Sequence, residues 1–322
     1  MDIQDKGFSD LGLTKHTVGS PSLCCYARNL DQASANNPIL VLIQGYPQTS
    51  YMWRLTVPLL PPSAPLFIPD LPGYGQSEPL QKHDKLTVGL AILSGLKTLT
   101  KSSSTTPIVL IGHDRGGRVS HRLAVSKSDV SNLGFDLLAT SVIDIVPTKV
   151  QWAAFADPRS SVIYWHWPFL AKPFAPEIIN TIGGSKYIFQ QGLRSIAGQG
   201  SKSATNLASG DAMKVYGAAF DNPSVVQASC ADYEAASNVD IEMQDADQAA
   251  GKKIEVPFMV LHGSQYIAKT FDVKKVWGEW IMDEKSLSVH CAAEGIGHFV
   301  PEEAPEETVQ VIGDWLKALK IW

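Results

Sequence analysis

Short runs of consecutive apolar residues recur along the chain, each closed by glycine, proline or aspartate. Those at 38–44 (PILVLIQ), 66–70 (LFIPD), 107–112 (PIVLIG), 137–145 (LLATSVIDI) and 256–261 (VPFMVL) predict buried strands, and 286–291 (SLSVHC) predicts a sixth. Their apolarity is continuous rather than alternating, as in strands covered on both faces of a parallel sheet. Helical spacing fills the gaps, at 49–60, 86–100, 116–127, 271–282 and 302–321. This alternation predicts an α/β fold with a mostly parallel sheet and right-handed crossovers.

The alternation breaks once. Between Pro147 and Glu255 no parallel strand is evident, and a structureless loop of that length is uncommon in a compact domain. An inserted helical cap at 147–252, with the sheet domain formed by 1–146 and 253–322, accounts for the gap. Within it, 198–210 is rich in glycine and serine. Its opening, Gly198-Gln199-Gly200-Ser201-Lys202-Ser203, lacks the glycine spacing and preceding strand of a phosphate loop, so a flexible loop is expected.

Composition narrows the function classes. Apolar residues make up 44% of the 322, enough for a sizeable core, and 27 basic against 32 acidic residues give a net charge of −5. No basic stripe is present, so nucleic acid is not an expected partner. No apolar run nears the roughly 18 residues of a spanning helix, so no membrane partner is expected either. Cys24, Cys25, Cys230 and Cys291 show neither pairing rhythm nor zinc-ligand spacing, and Cys24 and Cys25 fit a packed strand. No signal-peptide pattern opens the chain, which sets a cytoplasmic expectation. No metal or cofactor is expected, and a homodimer is compatible with the sequence.

The chemistry concentrates in Gly112-His113-Asp114-Arg115-Gly116-Gly117, directly after a strand and before a helix. That is the form of a nucleophile elbow, a tight turn that lifts one side chain above the sheet. Here the raised residue is Asp114; read alone, the stretch could equally be a glycine-rich turn with a capping aspartate. An elbow needs an acid and a histidine downstream. His298, in Gly295-Ile296-Gly297-His298-Phe299, follows the last strand as such a histidine should. The turn after 256–261 offers no carboxylate before Asp272, whereas Asp144 closes the 137–145 strand, so Asp144 is the expected acid. The loop Gln44-Gly45-Tyr46-Pro47 then supplies one oxyanion-hole N–H, from Tyr46, and Arg115 supplies the other.

Charge points to an anionic small molecule. Arg115 and Arg118 are three apart at the start of the elbow helix and could share a face, where two guanidiniums would fork onto one carboxylate. Salt bridges to the cap are the alternative use for them.

The run Gly-His-Asp-Arg-Gly-Gly-Arg-Val-Ser-His-Arg-Leu (112–123) resembles the nucleophile segment of the haloacetate dehalogenases, especially the fluoroacetate dehalogenases of the α/β-hydrolase fold. The likeness extends over 45–53, 69–77, 144–148 and 297–300. It implies an aspartyl-ester mechanism on Asp114, with His298 activating water and Asp144 orienting the histidine. It also implies a halide site made by His166, Trp167 and the cap tyrosine Tyr233. Gln44 stands where the family usually has histidine, Glu234 where arginine is common, and 198–210 enlarges the cap. An epoxide hydrolase uses the same aspartate and histidine with two cap tyrosines, and Tyr164, Tyr187 or Tyr216 could partner Tyr233. A non-catalytic small-molecule receptor is a third possibility, against which the intact triad weighs.

Overall fold

Eight strands form a single sheet in the computed structural model, which describes residues 2–100, 105–191, 196–198 and 200–322. They are β1 (Thr14–Val18), β2 (Leu23–Arg28), β3 (Ile39–Ile43), β4 (Leu66–Pro69), β5 (Thr106–His113), β6 (Phe135–Ile143), β7 (Phe258–His262) and β8 (Leu287–Cys291). Their order is β1-β2-β4-β3-β5-β6-β7-β8. All pairs from β4 across to β8 are parallel, while β1–β2 and β2–β4 are antiparallel. The six runs read as strands are β3 to β8. Missing from that reading were β1 and β2, although Cys24 and Cys25 do pack in a strand. β1 is a half-exposed edge with a polar sequence (TKHTV), so it carries no apolar run to announce it.

The helices expected at 86–100 and 116–127 are Lys85–Thr100 and Arg115–Val125. By contrast, 271–282 is helical only at Val273–Gly278, and 302–321 divides into Val300–Glu303 and Pro305–Ala318. Two further segments differ more. The segment 49–60 is not one helix but two 3₁₀ pieces, Ser50–Leu55 and Val57–Leu59, since Pro58 lacks the N–H and space a helix interior needs. The 198–210 segment is not a flexible loop: Ser201–Ala208 is helical and Ser209–Asp211 continues as 3₁₀, with Gln199 outside the described residues. Arg54 explains this. Its Nη2 donates to Asn206 O at 2.7 Å and its Nε to Ser209 O at 3.0 Å, satisfying carbonyls at the end of that helix. Arg54 also pairs with the buried Glu302, so a side chain 150 residues away stabilises what local composition opposes. His83 is buried although it stands in the polar run 81–84 (QKHD).

Between β6 and β7 the described chain is helical, from Thr148–Ala153 to Val239–Ala249. These helices cover the carboxyl ends of the central strands. No helix among the described residues is long and apolar enough to cross a membrane.

Candidate active site

The parallel register of β5 and β6 pairs His113 with Ile143, so the next residue on each strand, Asp114 and Asp144, stands side by side. Ladder bonds run one step further, from Asp114 N to Ile143 O (3.1 Å) and from Asp144 N to Leu261 O (2.8 Å). Both aspartates then leave the sheet with positive φ, +47° and +52°, a region L-residues enter rarely and at some cost. The turn after Asp114 needs glycine on both sides. A Cβ on Gly112 would lie 2.2 Å from Gly116 O, and one on Gly116 would lie 2.3 Å from Ile43 O.

His298 completes the array. Its Nδ1 lies 2.6 Å from Asp144 Oδ2, and its Nε2 faces Asp114 Oδ2 at 3.8 Å. The other Asp144 oxygen accepts Gly263 N–H at 2.8 Å, which fixes the carboxylate plane. Burial works to lower the His298 pKa, but the Asp144 hydrogen bond and the nearby negative charges outweigh it and raise the pKa above its ordinary value. Asp114 runs the other way. Burial raises it, yet His298, Arg115, His113 and Arg118 hold it below the usual carboxylate value, so it is ionised at neutral pH.

The surrounding backbone holds this geometry. Tyr46 N–H donates to Asp114 Oδ1 at 2.9 Å. His298 N–H donates to Ile196 O at 2.9 Å, and His298 O lies 2.8 Å from His113 Nε2. Burial first, then the nearby His298, pushes His113 down to about 4, so it stays neutral and can donate there. Glu303 accepts from Gly297 N and Phe299 N, both at 2.9 Å, bracketing His298. Sequence reading missed His113 and Glu303 in these roles; only their positions beside the elbow and the histidine hinted at them.

Above the array lies a cavity of about 40 Å³ lined by Asp114, Asp144 and His298 below and by Arg118, Gln151, Tyr164, His166, Trp167, Tyr187 and Tyr233 around and above. His166 and Tyr233 ring centroids are 6.1 Å apart, and those of Trp167 and Tyr233 5.4 Å, so the three residues do converge. Burial pushes His166 down to about 4, leaving a neutral imidazole.

The arginine pair is not assembled. Arg115 has no exposed surface and does not line the cavity. Its Nε donates to Asp232 Oδ2 at 2.7 Å and its Nη2 to Asp232 Oδ1 at 2.9 Å, while its guanidinium carbon sits 4.1 Å from the Tyr233 ring centre. Asp232 also pairs with Lys85, which in turn reaches Asp240. Asp232 thus occupies Nε and Nη2 of Arg115, while Nη1 is buried with no hydrogen-bond partner among the described residues. Arg118 does reach the cavity. Its Nη1 donates to Val146 O (2.9 Å) and Thr148 Oγ1 (3.2 Å), it lies 4.4 Å over Trp167, and no carboxylate pairs with it among the described residues. Burial, and then the like charge of Arg115, bring it down to about 10, still protonated at neutral pH.

Of the tyrosines considered as partners for Tyr233, Tyr164 and Tyr187 line the cavity. Tyr216 does not; its hydroxyl donates to Glu302 at 2.9 Å. Glu234 faces solvent, and Gln44 is buried with its Oε1 accepting Leu71 N–H at 3.2 Å. No group of three or more His, Cys, Asp or Glu among the described residues is placed to hold a metal ion.

Comparison with known proteins gives a family. A model of the "Alpha/beta hydrolase family" matches residues 40–311. A fluoroacetate dehalogenase from Burkholderia sp is 29% identical over 284 residues, covering 87% of this chain and 88% of that protein. A soluble epoxide hydrolase from Corynebacterium sp. (strain C12) is 26% identical over 270 residues, covering 83% and 86%. The solved structure of a Pseudomonas aeruginosa protein with a provisional epoxide-hydrolase name superposes with a TM-score of 0.81 at 26% identity, covering 97% of this chain and 98% of that one.

Proposed function

The chain belongs to the alpha/beta hydrolase family, and from that premise we propose that it hydrolyses small 2-haloacids, fluoroacetate among them, through an ester formed on Asp114. The two Asp114 oxygens are already distinguished. Oδ1 accepts the Tyr46 N–H, and Oδ2 faces the cavity and His298. In this reading Oδ2 attacks the α-carbon, and the halide departs with the electron pair of its bond to carbon. Oδ1 becomes the ester carbonyl oxygen, already seated in half of an oxyanion hole, with the Arg115 amide at the helix start as the second donor.

His298 then takes a proton from water, and the hydroxide attacks the Asp114 carbonyl carbon. On collapse the ester C–O bond breaks, the imidazolium proton passes to the departing oxygen to release the 2-hydroxyacid, and the second water proton is lost to solvent as the Asp114 carboxylate is restored. Asp144 stabilises the imidazolium in between. Fluoride is a poor leaving group unless its growing charge is hydrogen-bonded, and the Trp167 indole N–H, the Tyr233 hydroxyl and His166 are donors at the cavity wall. Size agrees: on a scale where one water needs roughly 10–15 Å³, the cavity suits a ligand of few heavy atoms.

The observation that carries this reading is Arg118, a buried cation beside an anionic nucleophile with no carboxylate paired to it among the described residues. An anionic substrate supplies the missing partner. One observation favours a second reading, epoxide hydrolysis. The Tyr164 hydroxyl is buried at the cavity wall without a hydrogen-bond partner among the described residues, as a phenol that protonates an epoxide oxygen would be. Halide release from fluoro-, chloro- and bromoacetate, measured beside diol formation from small epoxides, separates the two. Halide from the acids is expected; diol with no halide replaces the proposal by the second reading.

A further inference from the structure

We infer that Gln151 is a substrate-recognition residue that forms, with Arg118, the end of the cavity that takes the substrate's carboxylate. The inference rests on the haloacid reading above and supplies a second cavity-lining group beside Arg118, a place that Arg115 does not take.

Gln151 lies in the short helix Thr148–Ala153 that leads out of β6, its N–H bonded to Pro147 O at 3.1 Å. Only 1% of it is exposed, yet it lines the cavity and its Nε2 is buried with no hydrogen-bond partner among the described residues. Buried polar groups are nearly always satisfied, so an amide donor left open at a cavity wall points to a ligand. The neighbouring group has the same property. Arg118 Nε is also buried and unpartnered. Arg118 is docked on this helix's first turn, through Val146 O and Thr148 Oγ1, and Gln151 follows Thr148 by three residues, which places both on one helical face.

Two open donors lining one cavity, one charged and one neutral, match the two oxygens of a monocarboxylate. A neutral amide adds a hydrogen bond without adding positive charge. The pair therefore suits a small monoanion better than a dianion, and among the described residues the carboxylates that line the cavity are Asp114 and Asp144. No motif signals Gln151. In the sequence it is one polar residue in Thr-Lys-Val-Gln-Trp, and only the packing of the helix onto Arg118 gives it a function.

Acetate is the probe, since its binding needs no turnover. Calorimetric titration of the wild type should show acetate binding, weakened about tenfold in Gln151→Leu, as for loss of one hydrogen bond to a charged group. Gln151→Glu keeps the shape but offers Arg118 a competing carboxylate, and should weaken acetate further. In turnover, both variants should raise KM for chloroacetate with kcat within about twofold. Chloroacetamide, a weaker acceptor with no charge, should lose at least threefold less in Gln151→Leu.

Equal acetate affinity in wild type and both variants overturns the inference, as does a wild type that binds no acetate. Equal losses on chloroacetate and chloroacetamide overturn it too. Failure of the haloacid reading looks different: no halide from any haloacid, with acetate affinity still dependent on Gln151, removes the reaction and keeps the carboxylate site.

Discussion

The floor and the roof of the cavity are held in place by different forces. On the floor, Asp114 and Asp144 are placed by backbone: the β5–β6 register and two ladder bonds at 3.1 and 2.8 Å carry them to the strand ends. The roof hangs on side chains. Asp232 binds Arg115 and Lys85, and Arg54 binds Glu302 and the carbonyls of 206 and 209. Sheet register changes only by a whole residue, which would flip every side chain to the other face. An ion pair is lost by one substitution. Substrate choice can thus be altered in the roof while the reaction machinery below stays in place.

The floor is where a single change should cost most. Asp144→Asn keeps an oxygen for the Gly263 N–H but presents the wrong group to His298 Nδ1, and should lower kcat by about 10³–10⁴. Circular dichroism melting should show a smaller effect on stability. A loss under tenfold means that Asp144 does not orient the histidine.

The two arginines sharpen the contrast next. Removing Arg115 leaves Asp232 buried with only Lys85 and the Tyr74 hydroxyl as partners among the described residues, so Arg115→Ala should cost roughly 3–5 kcal/mol in denaturant unfolding. Arg118→Ala should instead raise KM for haloacids by about 10–100-fold, the loss of a charged hydrogen-bonding partner. The reverse pattern would mean that Arg115 enters the cavity when substrate binds.

Within the roof, Tyr233→Phe removes one donor from the leaving-group end. Defluorination should fall about tenfold and dechlorination by less, because fluoride accepts the stronger hydrogen bond. Matched losses, measured by halide release, would reduce Tyr233 to a packing residue beside Trp167.

The smallest effect is on pH dependence. His298 acts as a base only when neutral, and its pKa is raised above 6.5. Esterification removes the Asp114 charge, but the Asp144 hydrogen bond, the foremost of the raising causes, remains. The acid limb of kcat should therefore have its midpoint above pH 6.5. By linkage, the stability this histidine contributes is fully present below about pH 6.5 and is lost as pH rises through the folded value. An acid limb centred below 6.5 contradicts that electrostatic account.

How much of this was legible in the chain follows the same division. Asp114, Asp144 and His298 each stand next to a strand or turn whose pattern is local, so the apolar runs and their glycines located them. β1 was missed because an edge strand needs no apolar face. The helix at 201–208 was missed because Arg54, far away in sequence, caps it. A cap salt bridge was open for Arg115, but Asp232 was not named as its partner because it is 117 residues off. Gln151 gave no signal for the same reason. Spacing reports what the backbone does locally; side-chain pairing between distant helices leaves no periodic trace.

The central claim is that Asp114 attacks carbon and His298 serves only the water step. His298→Asn, incubated with a haloacetate, should release about one halide per site and stop, because only the second of two covalent steps is blocked. Mass spectrometry should find one carboxymethyl group on the peptide containing Asp114, and Asp114→Asn should give neither halide nor adduct. If His298→Asn gathers no adduct while the wild type turns over, water attacks the substrate directly and Asp114 is a base rather than the nucleophile.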